Sequence, residues 1–141
     1  MGNEYFKLGD YKNAENAYRR VFDPDVKSQP DTKASTLCCL GAIEYVRGVS
    51  AFDGADYSEA EGRLRAAEQY FAEAVNSGKL HWMYFGNLGN AQLYLAKISK
   101  IVTGDLDGQT LRNGCHNLKK ALSLCPGNSD LVRTLEECNS L

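Results

Sequence analysis

The chain has 141 residues and a net charge of −2, with 43% hydrophobic and 24% charged side chains. Such values describe one globular domain and exclude a largely disordered chain. They also exclude a basic nucleic-acid or anionic-membrane module, which carries a large positive excess, and no apolar run nears the roughly 18–20 residues of a membrane span.

Apolar residues fall at helical spacing along almost the whole chain. A first short helix covers 2–8, and Gly9-Asp10 separates it from a second over 11–22, with Asp10 as its cap. Asp23-Pro24-Asp25 and Gln29-Pro30-Asp31 bracket a loop before a third helix over 31–50. The turn from Phe52 to Asp56 opens a fourth over 57–76, whose Tyr57, Ala60, Leu64, Ala67, Phe71 and Ala74 step by threes and fours. After Asn76-Ser77-Gly78 a fifth covers 80–103, with Tyr84, Leu88, Ala91, Leu95, Ile98 and Val102 as its stripe. The stretch from Thr103 to Gly108 leads to a sixth over 109–124, and Pro126-Gly127-Asn128-Ser129 leads to a seventh over 129–140. Proline is scarce, and no segment alternates convincingly, so the chain reads as all-α.

Catalytic chemistry finds little here. His81 and His116 are the two histidines, and neither sits in a motif; GxxxxGK[ST], HExxH and GxSxG are missing. No catalytic residue, metal ligand or cofactor is therefore expected. Asp105, Asp107 and Gly108 look like part of a calcium loop but lack the third acidic ligand and the following Glu, so a tight turn explains them better. Cys38, Cys39, Cys115, Cys125 and Cys138 form an odd set without a CxxC pair or a secretory signal. That argues against a disulfide scaffold. Small apolar fillers in a reduced compartment are the main reading, a surface regulatory thiol or a metal ligand the alternatives.

The helices pair, and the pairs look alike. Gly2, Tyr5, Gly9, Asp10-Tyr11, Ala14 and Tyr18 resemble the tetratricopeptide repeat, a helix-turn-helix unit with a Gly and aromatic pattern in its first helix and Ala-x3-aromatic in its second. Leu40, Gly41 and Tyr45 with Ala67, Phe71 and Ala74 are similar, as are Leu88, Gly89 and Leu93 with Leu118, Ala121, Leu122 and Pro126. The resemblance implies a right-handed helical-repeat array of about three hairpins plus a capping helix. Its repeats would cover about 1–24, 31–77 and 80–126, and the cap about 129–140. Gly41 and Ala74 are 33 residues apart and Gly89 and Ala121 are 32, against 19 in the family. Roughly 13–14 residues are thus inserted in each of the last two repeats, which read as hairpins with helices near 20 residues. The targeting-sequence receptor of plant mitochondria looks similar in where its repeats are lengthened. Met1 would fall inside the family's first helix, which suggests a fragment of a longer array.

In such repeats the first helices line a concave groove. The positions that the resemblance places there are Asn3, Phe6 and Lys7, then Cys38, Ala42, Tyr45 and Val46, then Met83, Gly86, Asn90, Leu93 and Tyr94. Cys38, Val46 and Leu93 serve equally well as interhelix core. Many family members clamp the acidic tail of heat-shock chaperones with Lys, Asn, Asn, Lys and Arg. Here only Asn3 matches, while Ala42, Gly86 and Asn90 replace clamp residues, so that tail is not expected. The expected function is a non-catalytic interaction module, an adaptor or scaffold in the cytoplasm, holding an apolar or amphipathic segment of a protein partner. Nucleic acid and membrane insertion are not expected. The alternatives are a segment of a larger superhelix in an assembly, a receptor-like domain for targeting sequences, and a small-ligand-binding helical domain or enzyme.

Overall fold

In the computed structural model, residues 2–23 and 30–141 are described. The loop expected between Pro24 and Gln29 lies outside them, as does Met1. The described elements are helical: α1 Gly2–Lys7, α2 Tyr11–Arg19, a 3₁₀ turn Arg20–Phe22, α3 Pro30–Asp53, α4 Tyr57–Val75, α5 Trp82–Thr103, α6 Gly108–Leu124 and α7 Ser129–Ser140. Among the described residues there is no strand.

Helix starts follow local chemistry. Asp10, Asp56 and Asp107 each accept a hydrogen bond from the backbone N–H three residues on, and Asn128 does the same for Leu131. Each satisfies a donor that the first turn would leave orphaned. His81 Nδ1 accepts from the Met83 N–H at 3.2 Å and serves as the cap of α5. Gly104 ends α5 at φ 81°, a left-handed conformation that glycine adopts without a side-chain penalty.

Consecutive helices run antiparallel. Along α3 and α4, Gly41 meets Phe71 and Gly48 meets Leu64. Along α5 and α6, Gly86 meets Ala121, while Gly89 meets Leu118 and Gly114. A Cβ added at Gly41 would lie 2.6 Å from Phe71 Cε1, so these glycines let the helices close to a distance that a larger residue forbids. Phe71, Leu64 and Leu118 fill the adjoining holes and are all but inaccessible to solvent.

The two long hairpins then pack on each other through α4 and α5. Ala67, Phe71 and Ala74 join Tyr84, Leu88 and Ala91 in one cluster, and Ala60 and Leu64 join Leu95 and Ile98 in another. Hairpins with helices near 20 residues are thus present, and the expected stripe is buried through Ile98. Val102 departs from it: at 61% exposed it lies beyond the row, beside Glu61 and Arg65 at an open cleft. A second difference is α3, which continues three residues past Ser50. Phe52 in that added turn stacks edge-on with Tyr57 and Tyr94, which rewards the extension.

The cysteines also differ from expectation. Cys115 on α6 and Cys138 on α7 form a disulfide, with Cα atoms 5.9 Å apart. Cys38, Cys39 and Cys125 are free. Reading all five as unpaired fillers is thereby corrected. Spacing along the sequence could not reveal the pair, because docking of α7 across α6 is what brings the two residues together. Closing a loop of that size contributes roughly 3 kcal/mol on the chain-entropy account.

Candidate functional site: a stripe between α3 and α5

Helices α3 and α5 run parallel, in a register of 49 residues. Asn87 Nδ2 donates to Cys38 Sγ at 3.3 Å, and the Tyr45 and Tyr94 rings meet edge-on with centroids 5.8 Å apart. Tyr94 also meets Phe52 edge-on at 5.2 Å. Burial pushes the Cys38 thiol up to about 11, which keeps it protonated and inert. Burial, then the nearby Tyr94 and Glu137, push the Tyr45 hydroxyl well above its ordinary value.

On α5 the side chains divide by face. Leu88, Ala91, Leu95 and Ile98 are buried, as are Gly89, Leu93 and Ala96. Met83, Asn87, Asn90, Tyr94, Lys97 and Ile101 remain half-buried or exposed. Those six recur by fours and threes, so they form one continuous line along the helix. Lys97 Nζ lies 5.0 Å above the Tyr94 ring and is ion-paired with Glu137 of α7. The stripe thus carries aromatic, amide and apolar groups, and its cation is matched by an anion.

Of the residues expected in the groove, the structure brings Tyr45 and Tyr94 into contact and places Met83 and Asn90 on the same α5 line. Ala42 is half-buried on α3 one turn before Tyr45. Val46 lies at a separate cleft, with Tyr11 of α2 and Arg63 of α4. Gly86 is a correction, and Leu93 takes the interhelix-core alternative. Leu93 is 2% exposed and packs with Leu118, Leu131 and Cys138. Gly86 is buried, with Leu131 Cδ2 only 3.3 Å from where its Cβ would be. Both turn inward because α7 lies across that side of α5.

The α1 residues have other tasks. Asn3 Oδ1 accepts from the Tyr18 hydroxyl at 2.5 Å and lies 3.8 Å from Cys39 Sγ, tying α1 to α2 and α3. Phe6 packs on Tyr11 with centroids 5.4 Å apart, and Lys7 is exposed. Sequence reasoning missed Asn87, Lys97, Ile101 and Phe52. The first three follow from continuing the spacing of Met83, Asn90 and Tyr94 along the helix; Phe52 was masked by an early end to α3.

A second polar array joins the N-terminal helices. Arg19, Glu15, Arg47, Glu44, Arg63 and Glu59 alternate in sign across α2, α3 and α4, with successive separations of 2.9, 3.2, 3.5, 3.2 and 2.8 Å. Partial burial opposes ionisation of Glu15, but the bonds from Arg19 and Arg47 prevail and hold its carboxyl below the ordinary value. Among the described residues no group of three or more His, Cys, Asp and Glu is placed to hold a metal. No helix is long and apolar enough to cross a membrane, again among the described residues. Neither protein-family models, nor curated proteins, nor solved structures give a match to this chain.

Proposed function

We propose that the chain is a protein-interaction module with a tetratricopeptide-like arrangement of hairpins, and that it binds an apolar or amphipathic helical segment along α3 and α5. The observation that carries this reading is the uninterrupted line of Met83, Asn87, Asn90, Tyr94, Lys97 and Ile101, left open on a helix whose Leu88, Ala91, Leu95 and Ile98 face is buried. A line of that length mixing aromatic, apolar and amide groups suits an amphipathic helix laid in a groove, where aromatic residues act as anchors. The amides of Asn87 and Asn90 would fix the register of the incoming backbone or its polar side chains. The pairing of Lys97 with Glu137 removes the free cation that an acidic tail would need. No catalytic role is assigned to any residue.

The test is binding of amphipathic and acidic peptides, followed by fluorescence anisotropy. The amphipathic class should bind, and Tyr94→Ala should weaken it by about 1–3 kcal/mol. Affinity should change little between low and moderate salt, because apolar burial is not screened. Preference for the acidic peptide, with affinity collapsing as salt rises, would overturn the reading.

A further inference from the structure

The disulfide is built asymmetrically. Cys138 is 1% exposed, locked in the cluster with Leu93, Leu118 and Leu131. Cys115 is half-buried and borders an open groove of about 360 Å³. Arg112, His116 and Lys119 line that groove beside it, with Cys138, Asn139 and Leu141 of the α7 end opposite; none of its lining side chains is acidic. The more exposed half of the bond therefore sits among cationic and imidazole groups, while Cys138 only edges the groove and is packed among apolar residues.

We propose that Cys115 is a thiol–disulfide exchange site for a small anionic thiol, and that exchange there releases the end of α7. The incoming thiolate attacks Cys115 Sγ and forms a new sulfur–sulfur bond with it. The Cys115–Cys138 bond breaks, its electron pair leaves on Cys138 sulfur, and that thiolate takes a proton from water. The anionic thiol supplies the entering sulfur, and no other oxidant or reductant is needed. Arg112 and Lys119 favour a thiol carrying carboxylates, both by raising its concentration at the groove and by meeting its charges. After exchange, α7 keeps Leu131 and Leu135 against the core and the Lys97–Glu137 ion pair, and loses its covalent tie to α6.

The experiment uses the full oxidised chain with two probes at equal thiolate concentration: reduced glutathione, which is anionic, and cysteamine, which is cationic. Adducts are followed by intact mass and mapped after acid quenching. The expected adduct is on Cys115, forming several-fold faster with glutathione at low ionic strength. That advantage should shrink towards unity in about 0.5 M salt and in the Arg112→Gln/Lys119→Gln double variant. Hydrogen exchange should then quicken in the last turns of α7. An adduct mapped to Cys138 would overturn the proposal. So would equal rates for the two thiols at low salt, a purified chain in which the two cysteines are not joined, or an adduct that leaves α7 exchange unchanged.

Discussion

The seam between α4 and α5 and the seam between α2 and α3 are made of different materials. Between α4 and α5, Ala60, Leu64, Ala67, Phe71 and Ala74 are at most 1% exposed and face a row of similar residues. Between α2 and α3, Ala14 and Tyr18 meet Leu40 and Ile43, and Glu15 pairs with Arg47 across the joint. The first seam is dry and scales with buried apolar area. The second adds to its apolar cluster a partly exposed charge pair, which is worth little in water. The middle of the molecule therefore resists opening as a block, while the N-terminal hairpin detaches at a lower cost.

The largest expected effect comes from breaking the dry seam. Ile98→Asp would bury an unpaired charge against Ala60 and Leu64, and should lower stability by about 4–5 kcal/mol or prevent folding. Urea denaturation followed by circular dichroism measures it. An unchanged midpoint would mean that the α4–α5 seam is not a structural joint.

A more graded contrast uses two glycines. At Gly89 a new Cβ would lie 2.7 Å from Leu118 Cγ and 2.9 Å from the Gly114 carbonyl oxygen. Backbone cannot yield cheaply, so Gly89→Ala should destabilise by about 1–3 kcal/mol. Gly62 sits mid-helix in α4 with nothing within 4 Å of such a Cβ. Gly62→Ala should instead stabilise by about 0.5–1 kcal/mol, since alanine is the better helix former. Thermal melts of the two variants moving in the same direction would remove the packing role assigned to Gly89.

The smallest effect belongs to the polar seam and depends on pH. The Glu15 carboxyl is held below its ordinary value in the folded chain by its bonds from Arg19 and Arg47. Its contribution is present above the unfolded value and is lost as pH falls through the lowered folded one. Hydrogen exchange at about pH 6 and about pH 3, corrected for intrinsic rates, should show α2 loosening more on acidification than α4, and Glu15→Gln should flatten that difference. Equal loosening in the variant and the parent would show that the pair adds nothing.

Much of the fold was legible because helical spacing and its punctuation are local. Asp10 caps α2 as expected, and Leu64, Phe71, Leu95 and Ile98 meet where their stripes implied. Tyr45 and Tyr94, read as lying along the same side of their helices, do meet across α3 and α5. What sequence could not show depends on how α7 docks. That helix turns Leu93 and Gly86 from surface into interior, joins Cys138 to Cys115, and sets Glu137 against Lys97. None of these leaves a periodic trace, because each is fixed by tertiary approach rather than by spacing along one helix. Val102 shows the converse: its spacing is right, but the row that could cover it ends one turn sooner.

Lys97 touches both the Tyr94 ring and Glu137, so one side chain belongs to the open stripe and to the last helix at once. A ligand whose contact with Tyr94 changes with the docking of α7 is thereby coupled to that helix. Thermodynamic reciprocity makes the two events a single coupling free energy. By whatever factor a docked α7 tightens the ligand, the ligand tightens α7 in return, and loosening the helix costs the ligand that same factor.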